Sequence, residues 1–291
     1  MTPSYIDIST LIERYDGLLF DSFGVLVDGI EALPGALELV DRMNAGGVNY
    51  FIVTNDASES IDSRIATFRS QGFEIPGHRI VNSGSLIAGY YREHGLEDRP
   101  TVVLGTQDAR DYVIAAGGRP VEMPGPNDSE STPEPDVVVV GHSGPHDWEA
   151  TLEVLLGLFS RRYEQGNPAR LVLPNPDFVY PNGPGSYRFG AAAFVDLLEK
   201  GLCQLHGPDE ALVASKLGKP YLPIFQEAAR RAGSDHVVMI GDQLETDILG
   251  ANRAGIASAV VTTGINWRTK PGEFEGVPDE QVPGYILASL V

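Results

Sequence analysis

The sequence predicts an α/β protein built on a parallel sheet with helices on both faces. Three observations carry this expectation. Short, almost wholly apolar runs recur along the chain, the pattern of strands buried on both faces. Helical patterns alternate with them, and several of those end at glycine. Several of the runs stop at polar or acidic residues, which is where open parallel sheets build their sites.

Taken in order, an apolar run over Gly17–Phe20 stops at Asp21. Ala36–Ala45 reads as a helix closed by Gly46-Gly47. Tyr50–Val53 is a second β-rich run ending at Thr54-Asn55, and Ser60–Gln71 is helical up to Gly72. A second alternation follows: strand Thr101–Leu104, helix Asp108–Ala116, strand Val137–Val140 ending at Gly141, helix Asp147–Glu164 and strand Leu171–Leu173. Within it, Pro120–Pro135 is rich in Pro, Gly, Asp and Ser and reads as an exposed loop. A third block begins near Gly218, with helix Tyr221–Ala232 closed by Gly233, and strand Val237–Ile240 ending in Gly241-Asp242. Helix Thr246–Ala254, closed by Gly255, and strand Ala259–Val261 complete it. There is no internal repeat and no low-complexity tract.

The 291 residues suffice for two domains of ordinary size or one large one. With 42% hydrophobic and 21% charged residues, the chain can bury a core and is not of disordered composition. A formal charge of −19 repels nucleic acid and anionic membrane surfaces, so neither is expected as a partner. The same charge suits a bound cation, although most of it reads as solvated surface. Cys203 is the single cysteine, which excludes an internal disulfide and cysteine-based zinc sites. Met1–Arg14 is polar and acidic, and there is no apolar run of about 18 residues. The expectation is a soluble, cytoplasmic protein.

Three strand ends carry the candidate chemistry: Asp21-Ser22-Phe23-Gly24-Val25-Leu26, Thr54-Asn55, and Gly241-Asp242 with Asp247 five residues on. Lys219 precedes the helix that leads into the third strand. A carboxylate at a strand end can attack phosphorus, and Asp21 and Asp242 offer the hard oxygen ligands magnesium prefers. A hydroxyl and a backbone N–H near Thr54 can hold phosphate oxygens, and Lys219 adds positive charge where the transition state gathers negative charge. Singly, each has a plainer reading: Asp21 and Thr54 as caps, Lys219 as solvated surface, Gly241-Asp242 as a turn. Their order at successive strand ends is what caps do not explain.

These residues resemble a known family. Phe20-Asp21-Ser22-Phe23-Gly24-Val25-Leu26-Val27-Asp28-Gly29 is similar to the first motif of the haloacid dehalogenase-like hydrolases, and Val53-Thr54-Asn55 to the second. Lys219 resembles the third, and Gly241-Asp242-Gln243-Leu244-Glu245-Thr246-Asp247 the fourth. Gly218-Lys219-Pro220, the Gly-Asp-x-x-x-Thr-Asp spacing and Asn175-Pro176-Asp177 are similar to subfamily IIA, which contains NagD-type and para-nitrophenyl phosphatases and pyridoxal phosphatase. The resemblance runs from about Asp16 to Gly264. It implies a Rossmann-like parallel-sheet core over about 1–84 and 213–291, with a large inserted α/β (C2-type) cap over about 85–212. It also implies a magnesium-dependent phosphatase acting on a small phosphorylated metabolite through an aspartyl-phosphate intermediate. Asp21 is the implied nucleophile and a metal ligand, with the Phe23 backbone carbonyl and Asp242 as further ligands and Asp247 behind them. Thr54, Asn55 and Lys219 would hold the phosphoryl group. Asn175, Asp177 and the Gly183–Tyr187 loop are candidate substrate contacts, and equally turn residues of a cap hairpin; His142 and His146 stand on the same footing. Related proteins often pair through the cap, so a homodimer is an expectation carried by resemblance alone.

One departure shapes the functional expectation. The family's phosphatases carry a second Asp two residues after the nucleophile, and Phe23 stands there. General acid–base assistance is typically worth about 10²–10⁴ in rate. The expectation is therefore a phosphatase with its acid/base Asp replaced by Phe23, either acting on good leaving groups or recruiting Asp56 as substitute acid. Asp56 reads more readily as a turn or cap residue ahead of the Ser60 helix. Two alternatives stay open: a phosphate-binding or regulatory protein with little turnover, and a carbon–halogen hydrolase. The retained Asp242 and Asp247 argue against the last.

Overall fold

The computed structural model describes residues 3–125, 134–144, 146–181, 186–263 and 274–290. Part of the expected Pro120–Pro135 loop and residues 183–185 of the Gly183–Tyr187 candidate loop lie outside them. The chain divides into two compact units: Met1–Thr54, Ile61–Asn82 and Lys219–Val291 form the first, and Asn55–Ser60 with Ser83–Gly218 the second.

The first unit is a seven-stranded sheet, parallel throughout. Its order is Ser4–Ile6, Tyr285–Leu287, Ala257–Val261, Val237–Gly241, Gly17–Phe20, Tyr50–Thr54, Ile80–Asn82. From Gly17–Phe20 the chain steps outward to Tyr50–Thr54 and Ile80–Asn82, and later fills the other side beginning with Val237–Gly241. The order therefore reverses between Gly17–Phe20 and Val237–Gly241, and the crevice at their carboxyl ends is where such sheets bind ligands. The central strands are apolar because both faces are covered. Leu18, Phe20, Ile52, Val238 and Ile240 join one core with Leu39, Val40 and Met43 of helix Ala36–Ala45. Each such side chain contributes about 1.5–3 kcal/mol on burial. Helix Leu222–Ala232 starts with proline in its first turn, buries Ile224, Phe225, Ala228 and Ala229, and ends at Gly233 in the left-handed conformation.

The second unit holds a five-stranded parallel sheet of order Ser215–Lys216, Arg170–Leu173, Val137–Val140, Pro100–Leu104, Arg119–Val121. The four valines of Val137–Val140 alternate between two cores. Val138 and Val140 pack toward helices Trp148–Glu164 and Ala191–His206, while Val137 and Val139 pack toward Ile87, Tyr91 and Val113. The Trp148 ring stacks on Phe194 at 4.0 Å. A two-stranded antiparallel ribbon pairs Val179–Pro181 with Tyr187–Phe189. The segment 55–60 is bound within this unit, where Thr106 Oγ1 donates to the Ser58 carbonyl, Tyr112 OH to that of Glu59, and the Ser60 amide to Asp108. Among the described residues no helix is long and apolar enough to cross a membrane.

The expected α/β architecture holds, a Rossmann-like parallel core sheet with a large inserted α/β unit. The three-residue strands Ser4–Ile6, Ile80–Asn82 and Tyr285–Leu287 and the helices Ile87–His94 and Ala191–His206 are additions that periodicity did not reveal.

Candidate active site

Asp21 follows the strand Gly17–Phe20, and its amide donates to the Ile240 carbonyl of the neighbouring strand at 2.9 Å. The chain then turns tightly. Leu26 and Val27 amides donate to the Ser22 carbonyl at 2.9 and 3.0 Å, and Gly24 N donates to Val27 O at 2.8 Å. Val25, Leu26 and Val27 are buried in the core, so the loop that carries Asp21 is anchored by its own apolar residues.

Two glycines make the site possible. Gly24 has φ +77°, and a Cβ there would collide with the Asp242 carboxylate. Asp242 itself follows Val237–Gly241 directly. At Gly241 a Cβ would collide with the Asp247 side chain. Asp247 lies in a wide π-helical turn, Leu244–Ile248, in place of the regular helix expected from Thr246. The Gln243 amide donates to Asp247 Oδ2 at 3.1 Å, turning that carboxylate back toward the strand ends. Replacing Gly24 with Ala is expected to cost about 1–3 kcal/mol and to weaken the protein's response to magnesium by displacing Asp242. Urea unfolding with and without the ion checks this.

Asp21, Asp242 and Asp247 are all buried, and each offers a carboxylate oxygen within 4.8 Å of the others. Lys219 Nζ lies 2.6 Å from Asp21 Oδ1 and 2.7 Å from Asp247 Oδ1. Two of the three carboxylates thus share one ammonium, and the remaining negative charge with its hard oxygen donors fits a divalent cation such as magnesium. Burial pushes the Asp21 carboxyl up to about 7; Lys219 pulls it back and Asp247 adds to the rise. Burial would lower the Lys219 ammonium, but Asp21 and Asp247 outweigh it and hold Lys219 above the usual lysine range.

The raised Asp21 value has a consequence for stability. Between the ordinary carboxylate value and about 7, the folded protein keeps a proton that the unfolded chain releases. Without metal, this group's contribution therefore falls as pH rises through that window. A cation competes with the proton, so the magnesium-induced rise in Tm is expected to be larger at about pH 8 than at about pH 5.5. Differential scanning calorimetry at both values measures it, and an equal rise would refute the assignment.

Thr54 ends the strand beside Gly17–Phe20 and is buried in the same unit as Asp21, Lys219, Asp242 and Asp247. Asn55, Asn175 and Asp177 are brought together in the second unit. Asn55 Nδ2 donates to Asp177 Oδ1 at 2.8 Å, and the Asp177 amide to Asn175 Oδ1 at 2.9 Å. Asp56 Oδ1 accepts from the amide and hydroxyl of Ser58 at 2.7 and 2.6 Å, a turn-forming arrangement. His142 Nδ1 accepts from the Gly144 amide, and His146 packs edge-on to Trp148. Burial first, with Arg188 near His142 and His142 near His146, lowers both histidines below their usual value.

The expectation that Phe23 replaces a catalytic carboxylate is corrected by this geometry. The acidic set is intact: Asp21, Asp242 and Asp247 converge, and Phe23 displaces none of them. The Phe23 ring packs against the apolar core. The little-turnover and carbon–halogen alternatives, which drew on that supposed loss, fall with it.

The sequence reading missed Arg64. It is buried in helix Ile61–Ser70, with its guanidinium over the rings of Phe23 and Phe68. Its signal was a cation on the stripe Ile61, Arg64, Ile65, Phe68, where periodicity calls for apolar residues.

Residues 18–119 match the model of the haloacid dehalogenase-like hydrolase family, and residues 216–290 match a second, HAD-hydrolase-like model. The chain is 30% identical over 275 residues to glycerol-3-phosphate phosphatase of Rattus norvegicus, covering 88% of this chain and 81% of the relative. It is similar to the crystal structure of a glycerol phosphate phosphatase from Mycobacterium tuberculosis in complex with magnesium, with TM-score 0.77 and 27% identity, over 100% of this chain and 78% of that one. A structure described as a possible sugar phosphatase of the HAD superfamily from Cytophaga hutchinsonii gives TM-score 0.82 at 26% identity, over 99% of each chain.

Proposed function

We propose that this chain, which belongs to the haloacid dehalogenase-like hydrolase superfamily and to its NagD and para-nitrophenyl phosphatase branch, is a magnesium-dependent phosphatase of small phosphorylated metabolites with Asp21 as nucleophile. The observation that carries the reading is the Lys219 ammonium held between Asp21 and Asp247 in a buried cluster of three carboxylates. Lys219 occupies Asp21 Oδ1, which leaves Oδ2 to attack phosphorus as the ester P–O bond breaks and the alcohol departs with a proton from solvent; water then cleaves the aspartyl phosphate, releasing phosphate and restoring Asp21. Lys219 and the Thr54 hydroxyl hold the phosphoryl oxygens as negative charge gathers on them. A magnesium ion would be held by Asp21, Asp242 and the Phe23 backbone carbonyl with Asp247 behind them, and would supply positive charge against the repulsion between carboxylate and phosphate.

We assign the chemistry to the discontinuous core, residues 1–84 and 213–291, and substrate selection to residues 85–212. Within the latter, Asn175 and Asp177, linked to Asn55, are the candidate contacts. The two phosphatases named for glycerol phosphate favour a three-carbon polyol phosphate as the substrate class. The single cysteine accords with a reducing, cytoplasmic setting.

Phosphate release from glycerol 3-phosphate, para-nitrophenyl phosphate and acetyl phosphate, with magnesium and with EDTA, is the test. Metal-dependent release from at least one is expected, with kcat/KM highest for the polyol phosphate. No release from any of the three would sink the function, and a preference for the aryl ester would sink the substrate class.

A further inference from the structure

Arg64 is 5% exposed, an unusual state for a guanidinium. Its Cζ lies 6.0 Å from the centroid of the Phe23 ring and 5.8 Å from that of Phe68, so it bridges two aromatic faces. Phe68 is fully buried and rests edge-on against Phe73 at 5.9 Å. This gives the cation a rigid support in helix Ile61–Ser70. Gly29, with φ +104°, also lies close to the Phe23 ring; a Cβ there would come to 3.3 Å of Phe23 Cε1. The Phe23 ring is thus confined by Arg64 and by the backbone of Gly29.

That confinement matters because of where Phe23 stands. It is two residues past Asp21, and the next residue, Gly24, is a left-handed pivot whose carbonyl accepts from Thr263 Oγ1 at 2.8 Å. The Gly24 amide's bond to the Val27 carbonyl holds this peptide from the backbone side, and the Phe23 ring, packed against Arg64, is its second hold.

We propose that Arg64 is a positioning residue of the metal site: through its contact with the Phe23 ring it steadies the turn after Asp21, and with it the Phe23 backbone carbonyl. This rests on the function proposed above, in which that carbonyl is a magnesium ligand.

The test is magnesium titration of the full chain by isothermal calorimetry, with Tm and kcat recorded alongside. Arg64→Met and Phe23→Leu are each expected to raise the magnesium Kd by about 3- to 10-fold. The double variant is expected to be no weaker than the worse single one, because both changes remove one contact. Arg64→Lys, which keeps the charge but not the planar stack, is expected to restore part of the affinity. If Arg64→Met does not fold, Arg64→Lys and Phe23→Leu carry the comparison. An unchanged magnesium Kd with a lowered Tm would show that Arg64 merely packs, and independent effects that multiply in the double variant would show that it does not act through Phe23; either result overturns the assignment. A wild-type protein that binds no magnesium would overturn this inference together with the function beneath it, whereas normal wild-type binding unmoved by the variants would overturn the Arg64 assignment alone.

Discussion

Asp21→Asn is expected to abolish phosphate release, lowering kcat by at least about 10⁴-fold, because an amide cannot attack phosphorus in place of a carboxylate. The substitution is nearly isosteric, and the group is buried, so the fold is expected to survive. Stability without metal should even hold or rise at about pH 8. Burial keeps the Asp21 carboxyl at about 7, which means that its ionised form is disfavoured in the folded protein. Removing that charge also relieves repulsion with Asp247. Single-turnover phosphate release and a melting curve in EDTA separate the two effects. Residual hydrolysis within about tenfold of wild type would end the nucleophile assignment.

Lys219→Met is expected to act on stability and rate together. The ammonium is 3% exposed and lies 2.6 and 2.7 Å from two carboxylates. Removing one partner of a buried ion pair leaves uncompensated charge and typically costs about 3–5 kcal/mol. Here Asp21 and Asp247 would lose the ammonium they share, within a buried cluster of three carboxylates. The same change removes a donor to the developing phosphoryl charge, worth about 10²–10³ in kcat. Magnesium would supply part of the missing positive charge. The magnesium-induced rise in Tm is therefore expected to be larger for Lys219→Met than for wild type. Urea unfolding in EDTA and in magnesium measures this directly, and equal stability of the two proteins in EDTA would show that Lys219 is not the counter-charge of the cluster.

Local signals made much of the core legible. Gly17–Phe20 and Ala36–Ala45 have the bounds expected of them, because an apolar run ending at Asp21 and an amphipathic stripe closed by two glycines are short-range features. Helix Ala191–His206 was missed because its start has no side-chain cap at Gly190, and Gly201 interrupts its pattern while making room for Leu156. The edge strands Ser4–Ile6 and Tyr285–Leu287 are three residues each, too short for alternation to register, and they exist through their pairing with each other and with Ala257–Val261. In the site, Asp21, Asp242 and Lys219 were visible as strand-end or helix-leading residues. The doubt attached to Phe23 is answered by the convergence of Asp21, Asp242 and Asp247, which no single motif position displays.

The parallel sheet and the residues that close its central strands are legible in the chain, and the superfamily through the resemblance of those residues to its motifs. Those follow from hydrophobic periodicity and from polar residues at fixed offsets, both local along the chain. The tertiary structure decided which of these residues meet. The Asp247 carboxylate reaches the cluster only through the wide turn at Leu244–Ile248 and the missing Cβ of Gly241. Lys219 finds Asp21 only because the sheet order sets Gly17–Phe20 against Val237–Gly241. Asn55 bonds Asp177, 122 residues away, and Arg64, on helix Ile61–Ser70, lies against Phe23 in the loop after Asp21. Such contacts depend on strand order and packing between distant segments, for which no periodicity in the chain is a sign.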